Sequence, residues 1–296
     1  MNHFLVFDIG GTEIKYGVIN QLGKLVFKSK MPSRGPQGGK YILDDIVTTS
    51  KALIPEYNPQ GIAVSSAGVI NSNTGEVLSA TNTIINYIGM NVVDYLGSRL
   101  DLPVSIMNDV NSMALCETNL GAAKGSKFTV ALTIGTGIGG AIVVNNQLIE
   151  GIGYNAGEFG LMKVESDNFE TIAATSALVR NAQIIFGNQI QNGIDVFELY
   201  DQQNEDAIKL VNDFYFNLSE GIANLTFAFN PDVIVIGGGI TGRPTFVDEL
   251  STHVMNRLTP HLRKYTTIKA AHYKNDAGMI GAFFHFINLF PQFNNL

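Results

Sequence analysis

The stretch FTVALTIGTGIGGAIVVNNQLIEG, residues 128–151, decides the fold. Its pattern predicts an apolar strand, a glycine turn, a second strand, another turn and a short third strand. The same order occurs near the start of the chain, where FLVFD at 4–8 is followed by IGGT and EIKYGVIN. Ile9-Gly10 in the first copy corresponds to Ile134-Gly135 in the second. Two copies at matched internal spacing predict two duplicated lobes.

The composition limits the classes to which the protein can belong. The chain has 296 residues, of which 45% are hydrophobic and 15% charged, so it is long enough for two domains and can bury a sizeable core. The net charge of −7 and the lack of a basic run argue against a nucleic-acid partner. The single cysteine, Cys116, excludes an internal disulfide, and its helical position predicts a small buried side chain.

The sequence contains no recognisable targeting or membrane-spanning segment. The first predicted strand begins at His3, which leaves no room for a signal peptide, and glycine or polar residues interrupt every apolar run. We therefore expect a cytoplasmic protein with no membrane partner.

Outside the two copies, predicted strands alternate with predicted helices. Apolar residues recur at helical spacing in six segments: 41–53, 92–100, 170–186, 205–229, 245–258 and 277–289. We expect Asn275-Asp276 to cap the last of these helices. This alternation predicts an α/β protein whose mixed sheets carry helices on their faces.

One strand leads directly into a helix in SIMNDVNSMALCETNLGAA, residues 105–123. Asn108 and Asp109 stand at the junction, where both are good helix caps. Open α/β sheets bind ligands at this end of their strands, and a carboxylate there can take a proton from a substrate hydroxyl. Asp109 is therefore a candidate general base, although a simple capping role remains open on this evidence.

Three glycine turns follow apolar strands: Gly10-Gly11-Thr12, Gly135-Thr136-Gly137 (with Thr133 just before it) and Gly237-Gly238-Gly239. Glycine lets backbone N–H groups come close to phosphate oxygens. None of the turns fits the Walker A or Rossmann pattern, and each alone could be an ordinary hairpin. The duplicated pair favours a site for nucleotide phosphates. Asp8, beside the first turn, is then placed to orient Mg²⁺ through water.

Two further acids are candidates for binding a polyhydroxylated ligand. Glu158 lies in a loop of small residues, and Glu170 lies near the start of a helix, where it could also just favour the helix dipole. Carboxylates accept hydrogen bonds from hydroxyls, so the pair suits a sugar. We assign Gly68, in a turn of small residues, and Asn82 to the same substrate site.

Six motifs, in order, resemble the ROK family of sugar kinases and repressors, within the hexokinase/actin/Hsp70 ATPase superfamily. They are DIGGT at 8–12, MNDVN at 107–111, TIGTGIGGAIV at 133–143, NAGEFG at 155–160, PDVIVIGGGI at 231–240 and NDAGMIGA at 275–282. The resemblance implies two ribonuclease-H-like lobes of the actin-like ATPase type with an active cleft between them. Residues 1–109 and the final helix, about 276–296, would form the small lobe, and residues 110–275 the large lobe.

The resemblance also implies roles for individual residues. Asp109 would be the catalytic base, and Asn108, Glu158 and Glu170 would hold sugar hydroxyls. The two glycine hairpins would hold the phosphates of ATP, with Gly238-Gly239 beside the adenosine. The family further implies a homodimer, for which the apolar helices of the second lobe are candidate contacts.

The chain departs from the family pattern in four respects. Members commonly carry a histidine where Leu161 stands, followed by a cysteine cluster that binds structural zinc. No cysteine lies between Glu158 and Glu170, so we expect no zinc. Glu13 replaces the usual lysine, without an evident consequence. Repressor members carry a helix-turn-helix before the first strand, whereas the first predicted strand here begins at His3, so we expect no such DNA-binding segment.

The leading hypothesis is an ATP-dependent kinase acting on the 6-hydroxyl of a hexose unit. Loss of the histidine and zinc loop near C1 and C2 of the sugar favours a β-glucoside such as cellobiose. N-acetylmannosamine kinase and glucokinase remain open, as do a non-catalytic sugar sensor and an ATPase that does not use sugar.

Overall fold

The computed structural model describes residues 2–165 and 167–293. The chain divides into two compact units. The first unit runs up to Leu120 and also contains Glu150–Ala156 and the chain from Asn275 onward; the second unit contains Gly121–Ile149 and Gly157–Lys274.

The strands of the first unit form one five-stranded sheet and one hairpin. In chain order they are β1 (His3–Ile9), β2 (Glu13–Asn20), β3 (Leu25–Pro32), β4 (Ile62–Ser66), β5 (Val69–Asn71), β6 (Glu76–Ser79) and β7 (Val104–Asn108). The sheet order is β3-β2-β1-β4-β7, and β5 pairs with β6. β1 is antiparallel to β2 and parallel to β4, which is in turn parallel to β7.

The second unit repeats this arrangement. Its strands are β8 (Phe128–Ile134), β9 (Ile138–Val144), β10 (Gln147–Leu148), β11 (Lys163–Val164), β12 (Asp167–Asn168), β13 (Val233–Gly237) and β14 (Thr267–Ala270). The five-stranded sheet has the order β10-β9-β8-β13-β14. β8 is antiparallel to β9 and parallel to β13, as β1 is to β2 and β4. The predicted duplication is therefore confirmed.

Helices cover both sheets. The α-helices are α1 (Gly39–Tyr57), α2 (Val92–Leu100), α3 (Asp109–Asn119), α4 (Phe169–Ala173), α5 (Thr175–Phe186), α6 (Gly193–Asp201), α7 (Glu205–Phe229), α8 (Phe246–Arg257) and α9 (Ala277–Leu289). The bounds predicted for α2, α7 and α9 are confirmed. In the described part of the chain, no helix combines the length and the apolar character needed to cross a membrane.

The last helix, α9, belongs to the core of the first unit. It packs against β1, β4, β7 and α3. Gly281 comes so close to α3 that an added Cβ would lie 1.7 Å from the carbonyl oxygen of Ser112. This packing explains why α3 lies in the first unit, whereas the sequence-based division assigned it to the large lobe. Cys116 of α3 is fully buried, as predicted, and burial raises the pKa of its thiol.

Two local expectations were wrong. The segment 170–186 is not one helix, because Ala174 is extended and separates α4 from α5. The backbone N–H of Ser176 instead donates to the carbonyl of Gly135, 3.3 Å away, so tertiary contact decides where α5 begins. Asp276 precedes α9 but makes no side-chain cap; its carboxylate accepts from Lys28 Nζ at 2.8 Å.

Candidate active site

Several predicted site residues lie at one edge of the first sheet. Because β1, β4 and β7 are parallel neighbours, their carboxyl ends meet there. The register pairs Asp8 with Ser65 and Ser66 with Asn108. The sheet therefore brings together Asp8, the first glycine turn and the Asn108-Asp109 junction.

Asp8 is held tightly at this edge. Its Oδ1 accepts from Ser65 Oγ at 2.8 Å, and its Oδ2 lies 3.5 Å from Lys15 Nζ. The Asp8 side chain is 17% exposed. The first turn of α9 closes over it, since a Cβ on Gly278 would lie 2.6 Å from the Asp8 carboxylate. Only glycine leaves room for the carboxylate in this position.

The first glycine turn, Gly10–Thr12, closes the hairpin of β1 and β2. The N–H of Gly10 donates to the carbonyl of Glu13 at 3.0 Å, and Thr12 is exposed. The Glu13 carboxylate, which departs from the family pattern, accepts from Lys30 Nζ at 3.0 Å. Both partners are exposed, so the pair contributes little to stability.

Asn108 is the residue that caps α3. Its Oδ1 accepts from the N–H groups of Val110 and Asn111 at 2.8 and 3.0 Å, and its Nδ2 donates to the carbonyl of Gly68 at 2.8 Å. Asp109 is the first residue of the helix, and its Oδ1 also accepts from Val110 N–H. Because Asn108 already satisfies two amides of the first turn, α3 does not depend on Asp109 as its cap.

Gly68 and Asn82, the other two residues assigned to the substrate site, lie in different environments. Gly68 has φ of +110°, and an added Cβ would lie 2.5 Å from the carbonyl oxygen of Ser79, so the turn requires glycine. Its carbonyl is the partner of Asn108. Asn82 is exposed beyond β6, next to Thr83, whose side chain would meet a Cβ on Gly11.

In the second unit, Glu170 lies against the glycine hairpin. Its Oε2 accepts from the N–H of Ile138 at 3.4 Å and would lie 2.6 Å from a Cβ on Gly137. Glu170 also packs against Gly160, so one carboxylate contacts both the hairpin and the NAGEFG loop. Partial desolvation and the negative charge of Glu170 raise the pKa of Glu158. The structure thus brings these two predicted sugar ligands together.

A pocket of about 750 Å³ opens beside this hairpin. The walls come from the hairpin itself, the start of α5, residues of the segment 191–201 that contains α6, and the turn 239–244 after β13. Most of the lining is apolar, including Val179, Ile194 and Phe197. The volume and this mixture are typical of a site for a small organic ligand.

The pocket includes part of the predicted nucleotide set. Gly135, Thr136 and Gly239 line it. Thr133 is the penultimate residue of the preceding strand β8, and Gly137 completes the turn. Gly238, with φ of +96°, would place a Cβ 2.3 Å from the carbonyl of Ile134, so a glycine there lets the two turns touch.

Sequence reasoning missed the wall built from α6 and Arg243. Arg243 follows the predicted glycine turn by only a few residues, and a capping box of Asn192 and Asp195 begins α6. Asn192 followed three residues later by Asp195 was the available signal for a helix start. No local pattern indicates that this helix meets the turn after β13.

Asp8 is the candidate residue for holding a metal ion. Within residues 2–165 and 167–293, no group of three or more His, Cys, Asp or Glu side chains is arranged to hold an ion. Mg²⁺ usually keeps several waters and takes one or two carboxylates together with substrate phosphates. A single ordered carboxylate beside a glycine turn fits such a water-mediated role.

Comparison with known proteins agrees with this geometry. A profile of the ROK family matches residues 5–288. The chain is 35% identical to the β-glucoside kinase of Listeria monocytogenes over 292 residues, which cover 95% of this chain and 96% of that relative. It is 30% identical to the glucokinase of Halalkalibacterium halodurans over 304 residues, which cover 93% and 92%.

A solved structure from Listeria monocytogenes, described as a candidate N-acetylmannosamine kinase, has a TM-score of 0.87 to this chain at 33% identity. The match covers 97% of this chain and 99% of that one. The predicted fold class, the actin-like ATPase fold built from two ribonuclease-H-like lobes, is confirmed by this likeness and by the duplicated sheets. On its sequence profile, its relatives and its fold, the chain belongs to the ROK family.

Proposed function

We propose that the chain transfers the γ-phosphoryl group of ATP to the 6-hydroxyl of a hexose unit, with a β-glucoside such as cellobiose as the acceptor. The broader prediction is confirmed: the chain is a carbohydrate kinase of the ROK family. The observation that carries the proposed mechanism is that Asn108 caps α3, which leaves Asp109 unneeded in that role at the carboxyl edge of the sheet.

Asp109 is proposed as the general base. Its carboxylate takes the proton of the 6-hydroxyl as the hydroxyl oxygen bonds to the γ-phosphorus. The bond from that phosphorus to the oxygen bridging the β-phosphate breaks, and ADP leaves with its electron pair. Phosphoryl transfer depends mainly on positioning and on charge neutralisation. One correctly placed general base is therefore enough for the proton-transfer step.

Glu158 and Glu170 are proposed to position the sugar. Carboxylates accept hydrogen bonds from hydroxyls, and the contact of Glu170 with Ile138 N–H already fixes one of its oxygens. Burial raises the pKa of Glu158, and repulsion from the negative charge of Glu170 adds to that rise. Hydroxyl donors from a sugar would relieve that repulsion, which favours a polyhydroxylated ligand over an apolar one. Asn108, Gly68 and Asn82 are proposed to complete the sugar site.

ATP is proposed to bind at the glycine turns. In the second unit, the apolar pocket suits a purine, and the turn at Gly135–Gly137 offers backbone donors for phosphate oxygens. Gly10, Gly11 and Thr12 are proposed to do the same in the first unit. A magnesium ion bound with ATP would neutralise phosphate charge, and Asp8 is proposed to hold that ion through water.

Leu161 supports a β-glucoside as the acceptor. It directly follows Gly160 of the NAGEFG loop, and its side chain is 59% exposed. An exposed apolar side chain beside Glu158 can contact the face of a second sugar ring, whereas a histidine would donate to hydroxyls of the first. The 35% identity to a β-glucoside kinase also supports this choice.

A coupled ADP-release assay with Mg-ATP tests the proposal. The panel is glucose, cellobiose, gentiobiose, methyl β-glucoside, N-acetylmannosamine, N-acetylglucosamine and fructose. We expect the highest kcat/KM on the β-glucosides. Ready turnover of glucose together with rejection of cellobiose and gentiobiose would overturn the acceptor assignment.

Two other outcomes are informative. Turnover only on N-acetylmannosamine, the activity suggested for the solved Listeria neighbour, would keep the base and nucleotide sites and change the sugar. Sugar binding without turnover would favour a sensor. Homodimerisation remains a prediction, which sedimentation velocity of the purified protein tests directly.

A further inference from the structure

Two walls of the 750 Å³ pocket are joined by one guanidinium. Arg243 lies in the turn after β13, and Asp201 is the last residue of α6; both line the pocket. Arg243 Nη1 donates to Asp201 Oδ2 at 2.7 Å, and Nη2 donates to Oδ1 at 2.9 Å. Two parallel hydrogen bonds fix the orientation of Arg243 relative to Asp201 as well as their separation, whereas a single hydrogen bond would fix only the separation.

A second carboxylate completes the arrangement. Arg243 also donates to Glu249 of α8, through Nη2 at 3.0 Å and Nε at 3.4 Å. Tyr215 of α7 donates its hydroxyl proton to the same glutamate at 2.5 Å. The guanidinium lies 4.8 Å from the ring centre of Phe197, another lining residue. The side chain of Arg243 is only 17% exposed and its bonds to Glu249 are partly buried, whereas the Asp201 side chain is 56% exposed at the surface.

The hydrogen-bond inventory decides what Arg243 can do. Four of its five N–H donors are engaged by the two carboxylates. The same pairing lowers the pKa of Asp201 and raises that of Arg243. A guanidinium with one remaining N–H donor can bind a phosphate oxygen only weakly. Arg243 therefore affects a bound ligand by holding together the two pocket walls that it joins.

We infer that Arg243 is a positioning residue for the nucleotide, because its bond to Asp201 holds α6 against the turn after β13 and so sets the width of the base pocket. This inference rests on the proposed use of ATP. A pocket whose walls are fixed before binding loses less freedom when the ligand enters, and preorganisation of this kind raises affinity.

Substitution of Arg243 therefore has a specific kinetic signature. R243M keeps much of the side-chain volume but breaks every bond to Asp201 and Glu249. We expect the KM for ATP and the Kd for ADP, measured by calorimetry, to rise about tenfold. The KM for the sugar and the kcat at saturating ATP should stay within about twofold. R243K, with one compact charge in place of a planar fork, should recover only part of the affinity.

Arg257 provides the matched control. It lies in the same unit, pairs with Glu220, donates from Nε to Ser219 Oγ at 2.8 Å and stacks on Phe216 at 4.3 Å. Its side chain is 23% exposed, close to the value for Arg243, but it does not line the pocket. R257M should lower Tm about as much as R243M and leave the KM for ATP unchanged. Equal shifts in that KM for both variants would overturn the inference.

A double-mutant cycle tests the route through Asp201. If Arg243 acts by holding Asp201, then D201N in the R243M background should add little to the loss of ADP affinity. Additive losses would show that Arg243 acts independently of Asp201, which also overturns the positioning role. Wild-type protein that binds no ADP would instead refute the proposed function itself, so the two failures are distinguishable.

Discussion

Gly278→Ala tests whether the position of Asp8 matters for phosphoryl transfer. The added Cβ would lie 2.6 Å from Asp8 Oδ1, whereas ordinary van der Waals contact begins near 3.4 Å. The carboxylate must therefore move by about 0.8 Å. Asp8 is short and bonded to Ser65 at 2.8 Å, so it cannot swing aside without lengthening that bond.

The displacement of the Asp8 carboxylate sets the expected loss of kcat and the expected loss of stability. A shift of about 1 Å at a reacting centre costs about a hundredfold in rate, and we expect that loss in kcat. Loss of a hydrogen bond to a charged group lowers the free energy of unfolding by about 1.5–3 kcal/mol. Alanine in place of glycine within a helix raises it by about 0.5–1 kcal/mol. G278A should therefore lower the free energy of unfolding by about 1–2 kcal/mol and still fold.

The assay is ADP release with cellobiose at saturating ATP, repeated over a range of Mg²⁺ concentrations, together with urea unfolding. Displacing the carboxylate should also raise the Mg²⁺ concentration that gives half-maximal rate. Gly97→Ala is the control, because its Cβ would meet nothing closer than 3.6 Å in α2. It should stabilise the protein slightly and leave kcat unchanged.

Wild-type kcat and Mg²⁺ dependence in G278A would refute the reasoning. Should G278A fail to fold, Ser65→Ala gives the second test. It removes the donor to Asp8 without adding an atom, and a smaller fall in kcat is expected. An unchanged kcat in S65A would have the same meaning as one in G278A.

Three further predictions concern the sugar side of the reaction. Asp109→Asn should lower kcat by about 10²–10⁴ while calorimetry still detects sugar binding, and a near-normal rate would remove Asp109 from the mechanism. Leu161→His should lower the ratio of kcat/KM for cellobiose to that for glucose by about tenfold; an unchanged ratio would remove Leu161 from acceptor choice. Because the pKa of Glu158 is raised, its ionised form destabilises the folded state, so Glu158→Gln should raise Tm at pH 7, and this gain should vanish as the pH falls below about 4.3. A gain that grows on acidification would contradict the assigned cause.

Much of the site could be predicted because it depends on short stretches of chain. The strand and glycine turn at Asp8–Thr12 and the strand–helix junction at Asn108-Asp109 are formed by neighbouring residues. Parallel pairing of β1, β4 and β7 then brings those stretches together, which the alternation of strands and helices had indicated. The contact of Gly278 with Asp8 was beyond this reasoning, because 270 residues of chain separate the two.

The sequence by itself determined the duplicated strand order, the glycine turns and the final helix, since hydrophobic period and turn chemistry are local properties. The tertiary structure alone decided where α4 gives way to α5, because a carbonyl of the hairpin captures the N–H of Ser176. It also decided that Asn108 donates to the carbonyl of Gly68 and that Arg243 joins α6 to the turn after β13. Which donor meets which acceptor depends on how the elements pack, and packing is a property of the folded chain as a whole.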